Sequence, residues 1–153
     1  MYRPMFSRPH ALHTPQSRPH GNLYQQVGIE SRLALASPHT LVAMLFDGFM
    51  EAVALARAAL RERRLEVKGA AIGRAVRIVE DGLRGGLDLR AGGTLARDLD
   101  DLYAYLVLRL TQANLRNDDD ALDECRGLVL PLQQAWASIA PQADAAAAAR
   151  GER

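Results

Sequence analysis

Ser37-Pro38-His39-Thr40-Leu41-Val42-Ala43-Met44-Leu45-Phe46-Asp47-Gly48-Phe49-Met50-Glu51-Ala52-Val53-Ala54 opens with a helix-start signal and continues as an apolar helix. A serine oxygen can accept from the unpaired N–H groups of a first turn, and proline at the first helical position has a preset φ and no N–H to leave unmet. The pattern predicts a helix from Pro38 to about Arg64. At roughly 100° per residue, one arc of it gathers Leu41, Leu45, Ala52, Phe49, Val42, Val53 and Phe46, enough for a core stripe. Met44, Met50, Ala43, Ala54 and Ala58 fall on the remaining face, and between Leu41 and Ala56 only Asp47 and Glu51 carry charge. A bundle helix needs one apolar stripe, so this one has a surplus.

Working outward from that helix, a second is expected from about Glu66 to Leu83, ended by a loop that Gly85-Gly86 and Gly92-Gly93 bracket. Thr94 is the expected cap of a third helix, with Asp98, Asp100 and Asp101 near its positive end and Asn117 as its terminus. Asp118, Asp119 and Asp120 then supply the next N-cap, with Asp123 in a box-like position three residues after Asp120. The fourth helix runs to about Ile139, and Pro131 inside it predicts a kink or a break. No strand period occurs. The fold class is therefore all-α: an antiparallel four-helix bundle preceded by a short helical segment, Asn22 to Ala36.

Three regions follow. Residues 1–21 hold four of the seven prolines and three of the four histidines, and read as a disordered basic tail. Residues 22–140 form the bundle. Residues 141–153 are an Ala-rich flexible tail, because the tract from Ala143 to Ala149 favours helix but has nothing to pack against.

Composition excludes several function classes. A formal net charge of +1 gives no bulk attraction to nucleic acid or anionic membrane. No apolar run approaches the ~20 residues of a membrane span, and no apolar segment follows the N-terminal arginines as a secretory signal requires. The single cysteine, Cys125, allows no internal disulfide and reads as a small buried side chain or an inert surface thiol rather than a nucleophile. The expected location is the cytoplasm. His39 is the sole histidine of the folded part, so there is no Glu-x-x-His pair for metals. Cys-x-x-Cys, a phosphate-binding glycine loop and Gly-x-Ser-x-Gly are also missing. Asp118 to Asp120 lack the spacing and glycine of a calcium loop. No catalytic residue, metal or cofactor is expected.

The third helix repeats the surplus. Leu95, Leu99, Leu102, Leu106, Leu110 and Ala113 make its core stripe, with Tyr103 and Val107 on the flank. Tyr105, Leu108 and Leu115 lie together on the far side, interleaved with charge, and read as a binding face for another part of the chain, a second copy or another protein. The extra residues of the first helix fit either a helix buried all round or a groove for an amphipathic partner. Gly48 reads as a site of close backbone approach. Asp47 fits two roles, pairing across the bundle or fixing a partner's backbone or arginine.

These residues carry a resemblance. Asn22-Leu23-Tyr24-Gln25-Gln26-Val27, then Ala36-Ser37-Pro38-His39-Thr40-Leu41-Val42-Ala43-Met44-Leu45-Phe46-Asp47-Gly48, then Leu102-Tyr103-Ala104-Tyr105 through Asn114-Leu115-Arg116-Asn117-Asp118 with Leu122-Asp123-Glu124 and Trp136, resemble the FliS family of flagellin chaperones. Their order and spacing cover about Asn22 to Ile139. The resemblance implies a cytosolic bundle around which flagellin's disordered C-terminal segment wraps, preventing premature polymerisation until delivery to the type III export gate. It implies a flagellin contact surface of Leu41, Met44, Leu45 and Asp47 with Tyr105, Leu108 and Leu115. Leu23, Tyr24 and Val27 would be a cover segment that the client displaces. Phe46 stands where the family often has tyrosine, and the 1–21 tail is longer than is usual. The competing reading is a homodimeric adaptor that regulates flagellar assembly or gene expression through the same faces.

Overall fold

A computed structural model describes residues 36–151. The tail 1–21, the expected helical segment after it and the cover residues Leu23, Tyr24 and Val27 lie outside the described residues. Four long helices follow one another: α1 (Pro38–Arg61), α2 (Leu65–Arg77, prolonged by a π-helical turn Ile78–Arg84), α3 (Gly93–Arg116) and α4 (Asp119–Ser138). A short α5 (Ala140–Gly151) closes the description. There is no strand among the described residues, as expected of an all-α bundle.

Local chemistry accounts for most of the helix ends. Ser37 accepts from Thr40 N at 3.2 Å with Pro38 at the first helical position, a cap worth ~1 kcal/mol. Asn117 ends α3 in the left-handed conformation at φ 51°, and Asp118 caps α4 by accepting from Ala121 N at 3.2 Å. Other starts and stops differ from expectation. Thr94 does not cap α3; the helix begins after Gly92 with no side-chain cap, and Gly93 at φ 57° makes the turn into it. Asp100 is drawn away to Arg84, at 2.7 Å, and Asp123 to Arg57 rather than into a capping box. The helix α4 runs unbroken through Pro131, which sits on an exposed position. The alanine tract is helical where fraying was expected: alanine's propensity carries it, although α5 has only sparse contacts with α1 and α4.

The helices pack as a ring, α1 against α2, α2 against α3, α3 against α4 and α4 against α1. Cross-links fix the antiparallel sense. Arg57 late in α1 reaches Asp119 at the start of α4, while His39 early in α1 meets Trp136 late in α4. The core is fully buried around Phe49, Val53, Ile72, Val79, Leu106, Leu110, Leu122 and Val129. Tyr103, expected on the flank, is inside it, and burial pushes its hydroxyl pKa up. Of the two positions open to Cys125 the structure takes the buried one, and burial pushes its thiol up to about 11, leaving it protonated and inert at neutral pH.

Gly48 permits close packing, but by a side chain rather than a backbone: a Cβ there would sit 3.3 Å from Ile78 Cδ1. Gly82, in the π-helical turn, is the tighter position. A Cβ there would sit 2.7 Å from Leu45 Cδ2, so Leu45 lies directly on the glycine backbone.

Candidate functional site: an apolar cavity at one end of the bundle

The start of α1, the end of α2, the start of α3 and the end of α4 all meet at the same end of the ring. There the helices leave an apolar cavity of about 400 Å³. Val42 and Phe46 of α1 line it, with Gly82, Leu83, Gly86 and Leu87 of the π-helical turn and the loop after it. The other walls are Leu95, Leu99 and Tyr103 of α3 and Leu132, Ala135, Trp136 and Ile139 of α4. Leu95 was expected in the core, yet it is 69% exposed. It sits on the core side of α3 but one turn above the last layer of packing, at the mouth. Leu41, Val42 and Leu45 are half-buried for the same reason: the core stripe of α1 continues past the point where the bundle closes.

The cavity wall is organised by side chains that hold one another. Trp136 Nε1 donates to His39 O at 2.9 Å, and His39 Nε2 lies 2.9 Å from Trp136 O. The two rings stack at 4.8 Å, 8° from parallel, while Phe46 meets the indole edge-on at 6.4 Å. Across the cavity, Arg84 ties the π-helical turn to α3 by donating to Asp100 at 2.7 Å, and within the turn it donates to Glu80 at 3.1 Å.

The residues singled out from the sequence fall in two places. On α1, Leu45 abuts the cavity floor through Gly82. Asp47 accepts from Gln133 Nε2 at 2.8 Å, so it pairs across to α4. Leu41 and Met44 are half-buried. On α3, Tyr105, Leu108 and Leu115 are 40, 54 and 80% exposed, an apolar strip facing outward. α1 and α3 are not neighbours in the ring, so the two sets do not form one pocket. A client that met both would have to run around the bundle.

The strip has a polar border. Tyr105 Oη donates to Glu124, and Arg109 Nε donates to the same carboxylate at 3.0 Å while its Nη1 reaches Gln112 at 2.8 Å. The Tyr105 hydrogen bond, then that from Arg109, holds the Glu124 carboxyl below its usual range. Among the described residues no group of His, Cys, Asp or Glu could hold a metal ion, and no helix is long and apolar enough to cross a membrane. What remains is a surface suited to apolar contact.

Sequence reasoning missed most of the cavity. Leu132, Ala135, Trp136 and Ile139 have the spacing of an ordinary core stripe. Nothing in that spacing tells a stripe that closes a core from one that lines an opening. The available signal was the density of glycine from Gly82 to Gly93, which keeps neighbouring chain from filling the end.

Comparison with known proteins gives a consistent result. Residues 20–143 match the family described as flagellar protein FliS. The chain is 45% identical over 120 residues to the flagellar secretion chaperone FliS of Salmonella typhimurium, spanning 78% of this chain and 89% of that one. It is 43% identical over 116 residues to the flagellar secretion chaperone FliSB of Pseudomonas aeruginosa, spanning 76% and 91%. Against the flagellar secretion chaperone FliS of Escherichia coli it is 41% identical over 113 residues, spanning 74% and 83%.

Proposed function

The chain belongs to the FliS family of flagellar proteins, and from that premise we propose that it is a cytosolic chaperone of flagellin. It holds the disordered C-terminal segment of that client, prevents premature polymerisation and passes the client to the type III export gate. The family is one of flagellar secretion chaperones and not of enzymes.

The observation that carries this reading is the apolar cavity at the open end, about 400 Å³ across four helix ends. A cavity with so largely apolar a lining is the usual form of a binding site. A disordered client segment that turns helical can place one row of aliphatic side chains there. It can then continue along the outer strip of Tyr105, Leu108 and Leu115. Leu41, Met44, Leu45 and Asp47 border the path on α1. Leu23, Tyr24 and Val27, which precede α1 in the sequence, would on this reading be the client's stand-in.

The test uses the sole tryptophan, Trp136, on the cavity wall. Titrating a flagellin C-terminal peptide into the full chain should shift its emission saturably. Emission that never responds to the peptide, with no complex by sedimentation, overturns the reading. A second reading, the homodimeric adaptor, is favoured by the 80% exposure of Leu115; it predicts a dimer that persists in excess peptide.

A further inference from the structure

We propose that His39 is a positioning residue for the open-end cavity, holding the Trp136 indole as a fixed apolar wall through a reciprocal clamp. The inference rests on reading that cavity as the client site.

Trp136 is held from several directions at once. Its Nε1 is satisfied by His39 O at 2.9 Å. One ring face is covered by the imidazole at 4.8 Å, and Phe46 packs against it edge-on. His39 Nε2 lies 2.9 Å from Trp136 O; a carbonyl only accepts, so that nitrogen carries the hydrogen. The same carbonyl accepts from Ile139 N at 3.3 Å, and it belongs to the last turn of α4. A donor from outside the helix is favourable at that negative end.

Three consequences follow. The indole's only polar atom is already paired, so the wall shows carbon alone and offers a guest no hydrogen bond to compete for. The clamp joins the start of α1 to the end of α4, which sets the width of the cavity on that side. The position also demands two properties in one side chain, a flat face for stacking and a donor at its far tip. Histidine has both; phenylalanine keeps only the face and glutamine only the donor.

A purely structural role fits the location poorly. The core layers at Phe49, Val53 and Leu106 are fully buried, whereas His39 stands at the rim of the bundle. Both His39 and Trp136 are half-buried, and the indole borders the cavity. Fixing an aromatic wall beside a space is of value to whatever enters that space, because the guest then loses no affinity to ordering it.

The experiment compares the full-length wild type with His39→Ala, His39→Phe and His39→Gln. In the free protein, His39→Ala should lose most of the near-ultraviolet tryptophan ellipticity while the far-ultraviolet helical signal stays. His39→Phe should recover part of that band. Affinity for the flagellin C-terminal peptide should weaken in His39→Ala by about three- to tenfold, the range for losing one aromatic pair, with partial recovery in His39→Phe and His39→Gln. The dye 8-anilinonaphthalene-1-sulfonate should report the same loosening without any client. A His39→Ala protein with the wild-type tryptophan band, dye uptake and peptide affinity overturns the proposal, and so does one in which the band collapses but dye uptake and affinity hold. If the wild type binds no peptide, the client reading fails, and the tryptophan band with dye uptake still decides the clamp. If His39→Ala does not fold, His39→Phe and His39→Gln decide by the same readouts.

Discussion

The two ends of this bundle are built from different materials. At the end holding the α1–α2 and α3–α4 turns, polar groups close the structure. Lys68, only 5% exposed, donates to Asn114 O at 2.9 Å and to the Asn117 side chain, so a cation covers the negative end of α3. Arg57 spans Asp119 and Asp123 at 2.9 and 2.7 Å. At the opposite end a few bonds cross between helices among the described residues, Arg84 with Asp100, Gln133 with Asp47 and the His39–Trp136 pair, while the cavity walls are aliphatic and aromatic carbon. Directional bonds at the closed end admit one arrangement of the turns. Apolar walls at the open end have no such direction and can accept different side chains in the same space. The difference lets the fold stay put while the apolar end keeps its space, as the proposed client reading requires.

The sharpest way to break the contrast is to fill the open end. Ala135→Phe should lower affinity for a flagellin C-terminal peptide by more than about thirtyfold, or ~2 kcal/mol, with thermal stability kept or raised because the new ring enters existing space. Calorimetric titration beside a thermal melt checks both. At the closed end the pattern reverses. Lys68→Met removes the donor to the Asn114 carbonyl and the Asn117 side chain, which water can partly replace, and should cost about 1 kcal/mol in urea unfolding, leaving peptide affinity unchanged in the folded protein.

Arg57→Ala is a smaller blow, about 0.5–1 kcal/mol, since its carboxylate partners are part-exposed and screened. Its pH dependence carries a sign. The Arg57 hydrogen bond holds the Asp119 carboxyl below its usual range. A depressed folded pKa stabilises fully above the ordinary aspartate value and is lost as pH falls through the folded one. The gap between wild type and Arg57→Ala should therefore be constant near neutrality and close below about pH 4, as urea midpoints at several pH values would reveal. The smallest change in stability belongs to the outer strip. Leu108→Asp and Leu115→Asp should each alter it by less than about 0.5 kcal/mol, yet weaken peptide binding. Full affinity in both would remove the strip from the client's path.

Much of this molecule was readable before its structure. Ser37-Pro38, the surplus of apolar residues on α1 and α3, the turn at Asn117 and the Asp118 cap are local signals, written within a few residues of where they act. They specified an all-helical bundle, and the interleaving of charge with Tyr105, Leu108 and Leu115 marked the face that is in fact exposed. The alanine tract is helical and the break allowed for at Pro131 does not occur, since a propensity weighs a residue without its neighbours.

What only the tertiary structure decided is which end of the bundle stays open. Leu99 and Leu106 read alike in the sequence, seven residues apart on one stripe, but Leu106 is sealed and Leu99 lines a cavity. Their difference comes from the other three helices, from how far each extends and whether its last turn carries bulk or glycine. Asp47, with two roles open in the sequence, pairs with Gln133 eighty-six residues away, and His39 finds Trp136 across ninety-seven. Periodicity tells a side chain which way to point along its own helix. Whether anything stands opposite depends on residues far along the chain, and folding alone brings them there.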